Sequence, residues 1–343
     1  MQMFVRKQDF RYFCGIMKVL VTPLNWGVGH ATRCIPLVSQ LLAQGNEVLL
    51  AGDGMSLRRL KTAFPTLRTF ELTHMELRYS SGNSQTWAMI RAIPKIVQAS
   101  IADHRLLKRL VQREEIDQVI SDNRFGCFVK GTHSVYLTHQ LFLRLPRPWR
   151  WAEPLASWLH QLIWKRYDEV WIPDYEDPNR SLSGSLSHRE QGLPSDKIRY
   201  IGPLSRLILS DKQAQQVKQD LPAKQNVPYD IVALLSGLEP QRTLLEQTIR
   251  KRYEASNERV LIIRGRVGEP SVEWHRDNLT IVPYMDDRQL VNVLQDAKKI
   301  ICRSGYSTVM DLAALGILDK AEWIPTPGQP EQEYLAAYLT SRH

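Results

Sequence analysis

Apolar and polar positions alternate in blocks along most of the chain. Lys18–Leu24 (KVLVTPL) is a short apolar run of the kind that forms a strand covered on both faces. The ATRCIPLVSQLLAQG that follows carries apolar residues at helical spacing and stops at Gly45. NEVLLAG reads as a second strand, and RTFEL and MELRYS as two weaker ones. A long helix is predicted from Ser84 to Arg113, with a bend at Pro94. IDQVISD, SVYLTHQ and DEVWIPD are further strands, with a helix over Glu153–Arg166 before the last. IRYIGPLSR closes this half.

The polar stretch LILSDKQAQQVKQDLPAKQNVP then breaks the rhythm, and the pattern restarts. YDIVALLSG, RVLIIRG, LTIVPYM, KKIICRSG and AEWIPTP are five more strands, each followed by a loop or helix. Strand–helix alternation predicts parallel sheets with helices on both faces. The restart predicts two of them. The expected fold class is α/β: two tandem Rossmann-like, doubly wound domains facing across a cleft, with ligand loops at the carboxyl ends of the strands. The expected organisation is an unstructured extension over 1–16, a first domain over 17–206, a linker or domain edge over 207–228, and a second domain over 229–343.

Composition narrows the partners. The chain is 43% apolar and 24% charged, ordinary values for a globular protein. No apolar run approaches the ~20 residues that span a bilayer. A formal charge of +9 favours an anionic partner: nucleotide phosphates, lipid headgroups or nucleic acid. Cys14, Cys34, Cys127 and Cys302 are scattered without a CxxC pair, which fits free thiols in a reducing compartment. MQMFVRKQDFRYFCGI lacks the continuous apolar segment of a signal peptide, so the expected location is cytoplasmic.

Four loops carry candidate chemistry. Gly27, Gly29 and His30 stand where the first strand turns into its helix, and glycines there let a ligand approach the backbone. One reading is a dinucleotide fingerprint with Thr32 in place of the third glycine and Asp53 near ribose distance, which would make an NAD-dependent oxidoreductase. His30 either hydrogen-bonds locally or serves as a base. Ser236, Gly237 and Arg242 form a second strand–glycine–helix junction suited to an anion. Ser304, Gly305, Ser307 and Thr308 form a third, at the start of a helix. Asp311 is expected on the exposed first turn of that helix, where it accepts from ribose hydroxyls or closes a capping box with Thr308. Gln329, Glu331 and Gln332 follow the next strand, in a loop stiffened by Pro325, Pro327 and Pro330, and suit sugar hydroxyls. Asp286 and Asp287 stand at a helix start, where capping explains them, and no metal site is expected.

Further candidates lie in the first half. Asp122, Asn123 and Arg124 end one strand, and His139 and Gln140 another; they are acceptor-site residues or alternative bases, or else turn residues and a satisfied histidine. SLSGSLSH, ending at His188, is either a mobile loop at the domain edge or a plain surface loop. Trp149, Trp151, Trp158, Trp164 and Trp171 share one segment with Arg144, Arg147, Arg150, Lys165 and Arg166. That segment is either a core helix burying its aromatic face or a contact with an anionic membrane surface. Aromatics interleaved with basic residues also suit single strands, but no nucleic-acid module accompanies them.

Together these loops resemble the two-domain nucleotide-sugar glycosyltransferases of the GT-B fold. The resemblance is nearest to the family of the lipid II-forming N-acetylglucosaminyltransferase and the plant galactolipid synthases (glycosyltransferase family 28-like). It covers most of Met17–Leu339 and is strongest in YMDDRQLVNVLQDAKKIICRSGYSTVMDLAALG and IPTPGQPEQEY. It implies Tyr284 and Met285 along a uracil, and Ser304, Gly305 and Thr308 on the diphosphate with Arg242 as cationic helper. It implies Asp311 on the ribose, where the family usually has Glu, and Gln329, Glu331 and Gln332 on the sugar. Gly27, Gly29 and His30 match the family's first-domain loop, with the histidine as general base.

The implied activity is metal-independent, inverting hexosyl transfer from a UDP-sugar, a donor substrate rather than a cofactor. The acceptor is a hydroxyl, lipid-linked or on a glycan, reached from the inner face of a membrane. The resemblance also implies a closing helix that returns to the first domain. This sequence ends at His343, soon after the helix containing Tyr334–Leu339, so the second domain is expected to be short of that element. A nucleotide-sugar 2-epimerase and a non-catalytic nucleotide-sugar binder share the same implied cleft.

Overall fold

The computed structural model describes residues 16–26, 29–74, 85–188, 196–208, 229–266, 274–276 and 278–342, with the backbone alone for 85–91 and 274–276. The extension up to residue 15, Gly27, MELRYS and the polar stretch 209–228 lie outside the described residues. Those described form two compact units, one ending at Leu204 and the other starting at Ser205.

The first unit is a seven-stranded sheet. Its strands are β1 (Lys18–Pro23), β2 (Glu47–Gly52), β3 (Thr69–Glu71), β4 (Gln118–Asp122), β5 (His133–Leu137), β6 (Glu169–Ile172) and β7 (Ile198–Tyr200). They run in the order β3-β2-β1-β4-β5-β6-β7, every pair parallel. Helices α1 (Gly29–Ala43), α2 (Gly54–Ala63), α3 (Gln85–Glu114) and α4 (Glu153–Trp164) connect them. Because the sheet is covered on both faces, Val19, Leu20 and Val21 are all fully buried despite pointing to opposite sides. Leu107, Leu110 and Val111 of α3 pack on Leu20, Leu49 and Val119. A Cβ on Gly126 would stand 2.0 Å from the Ser100 carbonyl oxygen, so glycine is what lets α3 lie against the β4–β5 connection.

The second unit holds β8 (Ile231–Leu234), β9 (Val260–Ile263), β10 (Trp274–Arg276), β11 (Leu279–Val282), β12 (Lys299–Cys302) and β13 (Ala321–Trp323), in the order β10-β11-β9-β8-β12-β13. Only β10 is antiparallel, a short hairpin partner of β11. Helices α5 (Gln241–Tyr253), α6 (Asp287–Asp296), α7 (Tyr306–Leu315) and α8 (Pro330–Thr340) complete it. Leu245, Ile249 and Tyr253 of α5 close one face over Ile231, Val260, Ile262 and Ile301.

Two described elements have no counterpart in the sequence reading. α2 buries only Ser56, Leu57 and Leu60, too narrow a stripe to stand out as a period. β10 is three residues long and owes its existence to its neighbour across the hairpin. SLSGSLSH is not a plain surface loop, since Ser181, Leu182, Ser183, Leu186 and Ser187 are buried. The fully buried Asp174 carboxylate accepts from the Ser181 and Ser183 hydroxyls at 2.8 and 2.6 Å and from the Leu182 and Ser183 amides, which pins the loop to the end of β6.

Candidate functional site

Each sheet has one place where the strand order reverses. In the first it lies between β1 and β4, and in the second between β8 and β12. Loops leaving neighbouring strands diverge there to opposite faces, and the helix starts between them stay open to a ligand.

In the first unit, His30 lies in the opening turn of α1 and Asp122 is the last residue of β4. His30 Nδ1 lies 3.0 Å from Asp122 Oδ1. Arg33, one turn further along α1, donates from Nε to Asp122 Oδ2 at 2.8 Å and also contacts Oδ1. Its two terminal nitrogens reach His139 Nδ1 at 3.1 Å and His30 Nδ1 at 2.9 Å. Burial would raise the Asp122 pKa. The charges of Arg33 and His30 outweigh it and hold the carboxyl well below the usual carboxylate range. Asp122 and Arg33 are sealed, while the His30 side chain keeps 15% exposure. The group therefore has a fixed carboxylate inside and an imidazole at its surface. The Cys34 thiol points at the same carboxylate from 3.5 Å, and burial pushes it up out of the reactive range.

The other first-unit candidates divide. Asn123 adopts a left-handed φ of 55°, which asparagine tolerates, and its amide closes onto Leu137. Gln140 is half-buried beyond β5, its amide bonded to the Thr138 hydroxyl. His139 is buried against Arg33. Arg124 is not available to an acceptor. It is buried and donates to Asp103 at 2.6 Å, to Asp53 at 2.7 Å and to the Thr73 carbonyl. The same contacts remove the acid that the dinucleotide reading needs, because Asp53 also accepts from Asn25 at 3.1 Å and lies 3.0 Å from His74.

In the second unit, Ser236 and Gly237 follow β8, with Gly237 at a φ of +96° that glycine alone adopts readily. Arg242 does not stand ready as a cationic helper: Glu239 holds it at 2.9 Å and also takes Arg266 at 3.2 Å. After β12 come Arg303, Ser304 and Gly305, the last being the N-cap of α7. The Ser304 hydroxyl is fully buried and donates to the Gln332 carbonyl at 2.7 Å, which ties this loop to α8 and takes the side chain away from a diphosphate. Thr308 is buried in the first turn. Gln332 and Gln329 bond each other at 2.6 Å, and Gln332 also accepts from the Thr326 amide. Glu331 is half-buried beside them at the start of α8. Tyr284 and Met285 are half-buried between β11 and α6. Asp286 caps α6, accepting from the Arg288 and Gln289 amides at 2.9 Å. Among the described residues no group of three His, Cys, Asp or Glu side chains is placed to hold a metal ion.

Asp311 departs most from expectation. It lies buried on the second turn of α7 and makes no capping box with Thr308. Its Oδ1 accepts from the Ser205 hydroxyl at 2.5 Å. Burial pushes its pKa up to about 6, with Arg206 and the Ser205 hydrogen bond pulling the other way.

Arg303, Arg33 and the coupling of Asp122 to His30 are features of the candidate site that the sequence reading missed. Arg303 is 4% exposed, yet it donates only to carbonyls: Pro325 and Gln241 at 2.8 Å and Ile324 at 3.3 Å. Among the described residues its Nε has no partner and no carboxylate neutralises it. It therefore clasps the start of α5 and the loop after β13 to the end of β12. A cation directly after an apolar strand and before Ser-Gly was the available signal. For Arg33 the signal was its spacing of one helical turn from His30.

No protein-family model matches the chain. An uncharacterized glycosyltransferase of Methanosarcina mazei is 25% identical over 94% of this chain and 83% of its own length. The UDP-N-acetylglucosamine–N-acetylmuramyl-(pentapeptide) pyrophosphoryl-undecaprenol N-acetylglucosamine transferase of Haemophilus ducreyi is 28% identical over 33% of each chain. Among solved structures, the calicheamicin glycosyltransferase CalG4 matches with a TM-score of 0.60 at 13% identity, over 94% of this chain and 84% of that one. The spinosyn rhamnosyltransferase SpnG complexed with thymidine diphosphate matches with a TM-score of 0.56 at 17% identity, over 95% and 84%. The chain is a glycosyltransferase of the GT-B fold. The strand-order reversals of this glycosyltransferase are thus where its candidate chemistry collects.

The raised Asp311 pKa has a thermodynamic consequence. Between the unfolded value near 3.8 and the folded value of about 6 the native state binds the proton more tightly. The Asp311 contribution is fully present below pH 4 and is lost as pH rises through 6. Its full span is on the order of 3 kcal/mol. The stability difference between wild type and Asp311→Asn, measured by denaturant unfolding from pH 4 to 8, is expected to move against wild type with rising pH. A difference that stays constant would contradict the assignment.

Proposed function

We propose that this glycosyltransferase moves a hexosyl group from a UDP-sugar to a hydroxyl acceptor, with the donor held by the second unit and the base supplied by the first. The observation that carries the donor reading is Gly305. Its φ is −72°, which any residue adopts, and a Cβ added there would meet nothing within 4 Å. Neither backbone nor packing asks for glycine. The glycine N-cap puts no side chain over the start of α7, whose positive end suits an anion, and Arg303, which no carboxylate among the described residues pairs, precedes it by two positions. SpnG binds thymidine diphosphate on a similar fold, which supports a nucleoside diphosphate ligand.

In this reading the diphosphate rests on the positive end of α7 and the Ser236–Gly237 turn rather than on the Ser304 hydroxyl. Tyr284 and Met285 lie along the base. Gln329, Glu331 and Gln332 meet the sugar. The ribose reaches Asp311 through the carboxylate oxygen that Ser205 leaves, or by displacing Ser205. Arg303 acts as a positioning residue that holds three loop ends together and adds positive potential.

The chemical step follows from the His30 pair. In the tautomer whose Nδ1–H donates to Asp122 rather than accepting from Arg33, Nε2 carries the lone pair and takes the acceptor hydroxyl proton. The acceptor oxygen attacks the anomeric carbon, the bond to the diphosphate oxygen breaks, and the diphosphate leaves with the electron pair. A single displacement inverts the anomeric centre. Asp122, kept ionised by Arg33, stabilises the imidazolium that forms. The helix starts and Arg303 stabilise the leaving charge, so transfer is metal-independent in this scheme.

Two variants separate the roles. Gly305→Asp gives α7 a strong N-cap and an acid at its positive end, so stability is expected to hold or rise. The same carboxylate repels a diphosphate, so UDP binding measured calorimetrically is expected to weaken by about a hundredfold, near 3 kcal/mol. Wild-type UDP affinity in this variant would contradict the donor site. His30→Ala is expected to keep UDP affinity within about twofold while UDP release from UDP-sugars, followed with acceptor present, falls by about 10²–10⁴. Unchanged turnover would remove His30 from the reaction.

A further inference from the structure

The tryptophan-rich segment is neither wholly core nor wholly surface. α4 turns Glu153, Ser157, His160 and Trp164 inward, all buried. With successive side chains about 100° apart, Leu155, Trp158, Leu159 and Leu162 centre about 180° from that face. On a helix packed by one side, the opposite side is where polar residues belong. Here those four are 57, 52, 50 and 42% exposed. Trp151, in the 3₁₀ turn that leads into α4 (Arg147–Ala152), is 75% exposed and stacks on Trp149 with ring centres 6.3 Å apart.

The exposed charges from Arg147 to Arg166, which flank this face along the chain, have one sign. Arg147 and Arg150 precede it, Lys165 and Arg166 follow it, and all four are exposed. Arg166 also lies over the Phe128 ring. The single acid between Arg147 and Arg166 is Glu153, which is buried and bonded to Arg144 at 3.0 Å. His160 is buried, and burial brings its pKa down to about 4, so it adds no charge near neutral pH.

We propose that the outward face of α4, with the Trp149–Trp151 turn, docks on an anionic lipid bilayer. The helix would lie in the plane of the interface. Leucines and tryptophans enter the acyl boundary, and the basic residues at both ends meet the headgroups. The arrangement fits a lipid surface better than a protein groove because the cations bracket an apolar strip that carries no acid, and its tryptophan N–H groups suit the interface. No described helix is long and apolar enough to cross a membrane, so contact of this kind is peripheral. It places the acceptor among molecules presented at a bilayer surface, a consequence that rests on the transferase reading; the docking itself does not.

The test is co-sedimentation of the full chain with extruded vesicles of phosphatidylcholine alone, and with about one-third phosphatidylglycerol, over a salt series. Wild type is expected to partition onto the anionic vesicles, weakly onto the neutral ones, and less as salt rises. The double variant Trp151→Ala/Trp158→Ala changes two exposed side chains and is expected to keep its melting temperature and UDP affinity while losing about tenfold or more in partitioning. Arg147→Glu/Arg150→Glu is expected to lose the preference for anionic vesicles. No partitioning by wild type, or equal partitioning by both variants, would overturn the proposal. A concentration-dependent dimer that the tryptophan variant abolishes, without vesicle binding, would overturn it in favour of a second copy of the chain. UDP affinity is read separately, so loss of the donor site and loss of the docking face are told apart.

Discussion

A parallel sheet whose strand order reverses has one place where neighbouring loops leave in opposite directions, and most of what is functional in this chain follows from that constraint. In the first sheet it puts the end of β4 beside the loop after β1, so Asp122 and His30, distant in sequence, become neighbours. In the second it puts the turn after β8 beside the loop after β12. Neither site is built from a single motif. Each is a pair of strand ends that the winding of the sheet forces together.

Buried charge decides what each pair of ends can do. Asp122 is fully buried and would favour the neutral acid if left alone. Arg33 makes the ionised form the stable one, and the same guanidinium touches both His30 and His139. Arg124 likewise satisfies Asp53 and Asp103, and that pairing is internal, with no acceptor role. Arg303 is the contrast. Carbonyl oxygens solvate it and no carboxylate among the described residues cancels it. A buried ion without a counter-ion is costly to fold, and the proposed donor site gives that cost a functional sense.

The strands and the two-sheet architecture were legible because strands covered on both faces read as continuous apolar runs. Val19–Val21 and Val260–Ile263 need no partner to be recognised. The loops at the strand ends were legible as glycine–hydroxyl clusters. What each side chain does there was not. Ser304 looks like a phosphate ligand in sequence, but its hydroxyl meets Gln332, a residue 28 positions away. Asp311 looks exposed by its distance from the helix start, but Ser205 arrives from outside the helix to cover it. Arg242 looks free, but Glu239 three residues earlier takes it. These are contacts of tertiary origin, and spacing along the chain carries no information about them. Trp158 and Trp164 show the same limit within one helix, since only the packing tells which side faces the sheet.

The central claim is that the second unit holds a nucleoside diphosphate at the β8–β12 reversal. Backbone amide exchange of the full chain, read by peptide mass with and without saturating UDP, tests it most directly. Slower exchange is expected in peptides covering Ser236–Arg242 and Arg303–Thr308, with UDP but not with NAD. Protection that appears instead around Leu24–Arg33, or with NAD alone, would contradict the account.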